Sequence, residues 1–388
     1  MLHYDAGLLR TLERVYGKEV ANFLNSITSP GSRLYVRVNV LRTSTGIVID
    51  RLRERGVEVY TDEELEEALY FPVKGPFKVR LLDKKIVVDK RAAESIYMGA
   101  NVYAPGLVEC RDVRKGDEAT VVAEDGTPVA NAVAVVNCEE VLKAGVRRGV
   151  VAETVNSVYR APKIRELPEY REGLIYPQSL AAMYVTHVLS PRPGELVVDT
   201  CAAPGGKTTH IIEYSKGKAY VIAFDHSQRK LGELMSNLER LGEECFAEVW
   251  RADSRYLHID FPWIKADKVV VDPPCTALGV RPKILDFKSY RDVRNAAKYQ
   301  VQFLRSAFHI LKPGGVLVYS TCTVTVEENE EVVENFVEEV KCAEIVSINI
   351  SRGVRGVSGY RYSNAFIRFH PHIHNTSGYF IAKLVKKC

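Results

Sequence analysis

Residues 197–210, VVDTCAAPGGKTTH, run from an apolar stretch through a turn of small residues into a helix-like segment. Alanines and a glycine pair at such a turn let backbone N–H groups approach a ligand closely, and a helix start favours an anionic or carboxylate group. The spacing is neither G-x-G-x-x-G nor a phosphate-binding P-loop, and taken alone Gly205-Gly206 is equally well an ordinary tight turn. The neighbouring segments shift that balance. The next apolar run ends in Asp225, 19 residues beyond Gly206, where doubly wound folds hydrogen-bond ribose hydroxyls. The run after it ends in Asp253, placed to meet an adenine edge. A lone Asp there is usually a helix cap, but three successive strand ends carrying AAPGGK, Asp225 and Asp253 suit a nucleotide cofactor at the carboxyl edge of a sheet.

Outward from this stretch, ELVVDT, AYVIAFD, CFAEVWRAD, ADKVVVDPP, GVLVYSTCT, IVSINI and GYFIAKLVKK alternate with helical patterns over 174–388. This predicts an α/β fold with a Rossmann-like, seven-stranded sheet covered on both faces. Ser227 is set to cap a helix bearing Leu231, Leu234, Met235, Leu238 and Leu241 on one face. Thr325 and Glu328 have capping-box spacing ahead of Val332, Val333, Phe336, Val337 and Val340.

Upstream, RLYVRVNVLR at 33–42 alternates as a strand, TGIVIDRLRERG reads as a helix ending at Gly56, and GVEVY resumes strand character. The acidic run Asp62–Glu67 reads as a solvated helix face. Residues 1–84 are therefore expected to form a small α/β module. Over 85–160, short valine-rich runs broken by Gly and Pro, with Asp125-Gly126 between two of them, predict a small β-rich module. The charged, proline-containing 161–173 reads as a linker.

A length of 388 residues suits two or three domains. With 46% hydrophobic and 26% charged residues, the composition is that of a folded chain, not a disordered one. No apolar run reaches the roughly 20 residues of a membrane helix, and the N-terminus has no apolar signal core, so a cytoplasmic location is expected. The net charge of +4 permits nucleic-acid binding without requiring it. Four glutamines in the whole chain point toward a thermophile. Eight cysteines, at 110, 138, 201, 245, 275, 322, 342 and 388, show no C-x-x-C pair. They are expected to be buried thiols or catalytic groups and not disulfides.

Two of them converge. The fourth run leaves Asp272, Pro273, Pro274 and Cys275 at its carboxyl end, and the fifth delivers Cys322 to the same edge. A cysteine is most often a buried hydrophobe, but these two sit in Pro-, Ser- and Thr-rich turns beside an acid. They lack the companions that a zinc site requires. His370, His372 and His374 in FHPHIHNTSGYF fall on one face if the segment is a strand, without further ligands nearby. No metal is expected.

CAAPGGK at 201–207, DPPC at 272–275 with T-A-L-G and Arg281-Pro282-Lys283, and YSTCT at 319–323 with Glu327-Glu328-Asn329 together resemble the Sun-domain family of RNA cytosine-5 methyltransferases. RVN at 37–39 and Gln178 in YPQS fit it as well. KIVVDKRAAESIYMGANVYAPGLVEC resembles the start of a PUA domain, an RNA-binding β-barrel, inserted ahead of the catalytic domain as in the type-six, tRNA-methylating subgroup, with an archaeal source implied.

The resemblance implies S-adenosylmethionine as cofactor, held by Cys201, Ala202, Ala203, Pro204, Gly205, Gly206, Lys207, Asp225, Arg229, Asp253 and Asp272. It implies Cys322 as the nucleophile and Cys275 as its helper, with Asp272 and Lys207 assisting. Carbon 5 of cytosine is a poor nucleophile until a thiolate adds at carbon 6. The expected RNA contacts are Arg37, Arg281, Lys283 and His372, and the expected partner is tRNA, gripped near the 3′ end of the acceptor stem by a monomer without an obligate protein partner. Ribosomal RNA is the alternative substrate. A non-catalytic RNA-binding factor would lack a cysteine or the glycine turn, and a DNA methyltransferase would carry its nucleophile in the fourth-strand turn.

Overall fold

A computed structural model describes residues 2–146 and 148–388. The catalytic sheet comprises β1 (Leu196–Asp199), β2 (Tyr220–Asp225), β3 (Ala247–Arg251), β4 (Ala266–Val271), β5 (Leu311–Thr321), β6 (Ala343–Val346), β7 (Val354–Arg355), β8 (Ile367–Phe369) and β9 (Tyr379–Lys386). Its order is β3-β2-β1-β4-β5-β9-β8-β7, with β6 also on β9. The first five strands are parallel and β9 is antiparallel to β5. The Rossmann-like expectation is met, with two short strands, β7 and β8, added between the last two expected ones.

The valine runs explain the layering. Strands of a parallel sheet are buried on both faces and read as continuous apolar segments. Val197, Ala223, Val270 and Val318 face one core, shared with α1 (Leu180–Leu189), α2 (Gly206–Tyr214) and α3 (Gln228–Leu241). Val198, Phe224, Val269, Val271 and Leu317 face the other, shared with α4 (Tyr290–Ile310) and α5 (Glu330–Glu339). Ser227 caps α3 as its sequence suggested. Thr325 and Glu328 do not form the expected capping box, because α5 starts only at Glu330 and the Glu328 carboxylate turns inward.

The N-terminal module is a four-stranded antiparallel sheet in the order 175–177, 33–38, 68–72, 60–61. The helix Thr45–Glu54 packs on it through Val48, Ile49 and Leu52. Segment 161–173 is not a free linker. Ile164, Leu167 and Tyr170 pack into this module's core, and the strand that follows completes its sheet. The chain thus leaves the module, builds the six-stranded sheet that spans 85–157, and returns.

Residues 62–67 are a turn and not a helix, since they join the paired strands 60–61 and 68–72 and the Asp62 N–H already donates to the Ala68 carbonyl at 2.9 Å; the Asp62 carboxylate accepts from the backbone N–H of Glu64 and Leu65 within the turn. The first 27 residues also depart from the α/β module. Helices Ala6–Tyr16 and Val20–Ile27 place Leu8, Leu12, Phe23 and Ile27 against Leu278, Val293 and Val324 of the catalytic domain.

Cys342 and Cys388 are joined in a disulfide, contrary to the expectation of eight free thiols. Pairing of β6 with the end of β9 brings their Cα atoms to 5.5 Å, within bridging reach. No helix among the described residues is long and apolar enough to cross a membrane.

Candidate active site

The carboxyl ends of β1, β2, β4 and β5 surround a cavity of about 210 Å³. Behind it, the turn after β1 is fixed by backbone bonds from Ala202 N–H to the Phe224 carbonyl at 2.9 Å and from Gly205 N–H to the Ala202 carbonyl at 2.8 Å. The peptide between Ala203 and Pro204 is cis. Gly205 has φ +113°, and a Cβ there would meet Leu234 Cδ1 at 2.8 Å, so both backbone and packing demand glycine. Cys201 and Ala203 line the cavity, while Ala202, Pro204, Gly205 and Gly206 shape the chain behind them.

Asp225 and Asp253 also line it. Asp225 is buried, with Oδ1 accepting from Ser227 N–H at 2.9 Å. Asp253 is engaged by its neighbour, both of its oxygens accepting from the Arg255 guanidinium. Arg229 is not at the cavity. It is exposed on α3 and pairs with Glu233 one turn on, so its expected cofactor contact is corrected, and Lys230 and His226 take the lining positions.

Asp272, Pro273, Pro274 and Cys275 form the opposite wall, with Cys322. Asp272 is held from three sides, by an ion pair with Lys207 and by hydroxyls of Ser320 at 3.0 Å and Tyr379 at 3.2 Å. Burial works against the Lys207 ammonium, but the Asp272 charge and Tyr379 outweigh it and keep its pKa well above the usual lysine range. The sulfurs of Cys275 and Cys322 lie 3.4 Å apart. Hydrogen bonding to Cys322, then burial, pushes the Cys275 thiol well up. Asp199, at the end of β1, is raised by burial to about 6 while accepting from Thr208 Oγ1 at 2.8 Å.

One organiser escaped the sequence reading. Glu328 is fully buried, and its carboxylate accepts from Thr276 N–H at 2.8 Å and from the hydroxyls of Thr276, Thr323 and Thr325 at 2.5, 3.1 and 3.0 Å. Gln300 donates to its other side at 3.1 Å. Thr276 follows Cys275 and Thr323 follows Cys322, so one carboxylate clamps both thiol turns. The acid was visible in E-E-N, but its contact lies across the sheet.

The model of the family described as 16S rRNA methyltransferase RsmB/F matches residues 186–385, and that of the PUA domain matches 84–158. The chain is 38% identical to the tRNA (cytosine(72)-C(5))-methyltransferase of Pyrococcus horikoshii, across 96% of this chain and 95% of that one. This chain belongs to the RsmB/F methyltransferase family. A crystal structure of NSun6 from Pyrococcus horikoshii with SFG, an analogue of S-adenosylmethionine, superposes with TM-score 0.89 at 35% identity, over 99% of this chain and 98% of that one. The ribosomal RNA small subunit methyltransferase B of Klebsiella pneumoniae is 34% identical but matches only 58% of this chain and 49% of its own. Like its RsmB/F relatives, this protein is an S-adenosylmethionine-dependent RNA cytosine-5 methyltransferase, here with an inserted PUA domain.

The RsmB/F-type residues expected to meet RNA fare differently from the thiols. Arg37 is wholly buried, paired with Glu213 and donating to the Gly206 carbonyl at 2.8 Å, to Thr209 Oγ1 at 2.7 Å and to Gln178. It braces the cofactor turn and cannot reach RNA. Lys283 is likewise buried, 3.3 Å from Asp286. Arg281 donates to the carbonyls of Ser29 at 3.1 Å and Pro371 at 2.9 Å, and burial lowers its pKa to about 10. It keeps a partly open face on a second cavity, of about 310 Å³, between the N-terminal module and the catalytic domain. His372 lies edge-on to Tyr16 and Phe23. The three tail histidines sit in and beside the short helix Pro371–His374, which replaces the expected strand.

Proposed function

We propose that this enzyme methylates carbon 5 of a cytosine at the 3′ end of the tRNA acceptor stem, with Cys322 as nucleophile and Cys275 as the residue that releases the product. The observation that carries the chemistry is the Cys275–Cys322 sulfur pair, 3.4 Å apart, beside the Asp272–Lys207 ion pair. Hydrogen bonding to Cys322 and burial hold Cys275 as the thiol, and the nucleophile is assigned to Cys322, whose reactive form is the thiolate. That thiolate adds to carbon 6, moving electron density to carbon 5. Asp272, already fixed by Lys207, Ser320 and Tyr379, is positioned to bond the exocyclic amine and the protonated ring nitrogen.

S-adenosylmethionine supplies an electrophilic methyl group. Its binding is assigned to the cavity residues Cys201, Ala203, Asp225, Asp253 and Asp272 and to the turn formed by Ala202, Pro204, Gly205, Gly206 and Lys207. Asp225 suits ribose hydroxyls and Asp253 the adenine edge. After transfer, the Cys275 thiol proton passes to the departing Cys322 sulfur and Cys275 takes up the carbon-5 proton, so that the carbon 5–carbon 6 double bond re-forms as the bond to Cys322 breaks; Cys275 is assigned to that exchange.

The choice of tRNA rests on the relative that matches nearly the full length, PUA domain included, being named for tRNA cytosine 72, whereas the ribosomal RNA relative covers little more than half of this chain. An unpaired or terminal base is also the least costly to extrude. Bisulfite sequencing of total tRNA and ribosomal RNA after incubation with enzyme and S-adenosylmethionine tests it. New protected cytosines confined to the acceptor end of tRNA are expected; methylation confined to ribosomal RNA would reverse the assignment.

A further inference from the structure

The active site leaves one group of potential ligands unused. Glu67 lies in the turn before strand 68–72, His187 on α1 and His210 on α2, and their ligating atoms all fall within 4.8 Å of one another. Glu67 Oε1 is 2.6 Å from His187 Nε2 and 3.2 Å from His210 Nε2. Ligands around a tetrahedral zinc ion, with bonds of about 2 Å, stand roughly 3.3 Å apart, a value inside the range seen here. We propose that Glu67, His187 and His210 form a zinc site that fastens the N-terminal module to the helix following the cofactor turn.

The donor set favours this ion. Two imidazoles and one carboxylate suit zinc, whereas magnesium and calcium prefer all-oxygen cages. Burial favours it as well. His210 is 2% exposed and Glu67 13%, while His187 is 26% exposed, which leaves an opening for a water as fourth ligand. Without an ion, one oxygen of a mostly buried carboxylate is shared between two imidazoles; a dication would take the same three atoms as ligands, with the carboxylate offsetting half of its charge. The ligands are also held in place. The Glu67 carbonyl accepts from Val38 N–H at 2.8 Å, which ties it to the strand carrying Arg37, and Tyr214 lies edge-on to His187 at 5.0 Å. Arg37 reaches Glu213, three residues beyond His210. Ion and ion pair would thus clasp the same helix, whose first residues are Gly206 and Lys207. Glu67 and His187 are 120 residues apart, so no ligand spacing marked the site in the sequence.

The test uses the full chain, stripped with a chelator and titrated with zinc chloride by calorimetry. One equivalent should bind, raising Tm by roughly 3 °C when free zinc stands a hundredfold above Kd. His187→Gln and Glu67→Gln, whose metal-free Tm reports their folding, should each weaken binding at least tenfold. Cobalt substitution should give the visible bands of a tetrahedral nitrogen and oxygen site without a sulfur-to-metal charge-transfer band. The proposal is overturned by the absence of saturable binding, by unchanged affinity in both variants, or by a sulfur charge-transfer band, which would place the ion on a cysteine instead.

Discussion

The cleft at the carboxyl ends of β4 and β5 and the seam between the N-terminal module and α2 meet at the same turn, Gly206-Lys207, and use ionisable groups in opposite ways. In the cleft, Cys275, Cys322 and Asp272 line a cavity, with Lys207 paired to Asp272 behind it, and their mutual contacts set their orientation. At the seam, Arg37 is sealed against Glu213 with no exposure at all. Both lie in stretches that resemble the family, Arg37 in RVN and the thiols in DPPC and YSTCT. Lying in such a stretch does not say whether a side chain faces substrate or another charge. Burying an ion costs several kcal/mol unless it is paired, so a buried arginine with a full set of acceptors is built to stay.

Substitution at the thiols should separate the two regions most sharply. Cys322→Ala is expected to reduce methyl transfer to background while cofactor affinity, read by calorimetry, stays within twofold. Residual turnover near the wild-type rate would remove Cys322 from the chemistry. Cys275→Ala should also lose turnover, but by arrest: a covalent protein–RNA species should accumulate and survive denaturing electrophoresis. If none forms under turnover conditions, Cys275 has no part in release. Glu328→Gln comes next, because an amide nitrogen cannot accept from the Thr276, Thr323 and Thr325 hydroxyls that the carboxylate gathers. Misplacing the thiols by about 1 Å is enough for a loss on the order of a hundredfold in kcat, with cofactor Kd unchanged. An equal loss in both would show a general collapse instead.

At the seam the readout shifts from rate to stability. Arg37→Ala leaves the buried Glu213, whose pKa burial already raises, without its cationic partner and beside Glu243, and breaking a buried pair typically costs about 3–5 kcal/mol. Denaturant unfolding should show that loss, while RNA affinity of the folded fraction stays at the wild-type value. A selective loss of RNA affinity would return Arg37 to the substrate surface.

This contrast explains what was visible in the sequence. The catalytic fold could be read because valine runs such as Val269–Val271 report burial on both faces, and because strand ends carry their chemistry in adjacent residues. The thiol pair followed from topology, but ranking Cys322 over Cys275 came from family resemblance. What escaped depends on contacts between distant segments: Glu328 across the sheet, the Cys342–Cys388 bridge, the N-terminal helices against Val324, and the return of 161–177 to the first module. The run of acidic residues at 62–67 likewise suggested a helix face, but pairing of the strands 60–61 and 68–72 on either side leaves that segment as a turn.

The smallest expected effect lies within the cofactor side itself, where two residues four apart, one ending β2 and one in the first turn of α3, were both expected to hold the cofactor. Asp225 closes β2 with its carboxylate in the cavity, steadied by Ser227 N–H. Arg229 points away and spends its charge on Glu233, both largely exposed. An exposed i,i+4 pair contributes only about 0.3–0.5 kcal/mol. A buried carboxylate that accepts hydroxyls of a bound ligand would contribute more, because its loss leaves those donors unpaired. Asp225→Ala should therefore weaken cofactor binding roughly tenfold or more, whereas Arg229→Ala should leave Kd within twofold and lower Tm by no more than about 1 °C. Matching losses in the two variants would mean that α3 turns toward the cofactor on binding, and that the cavity walls are set by the ligand as well as by the fold.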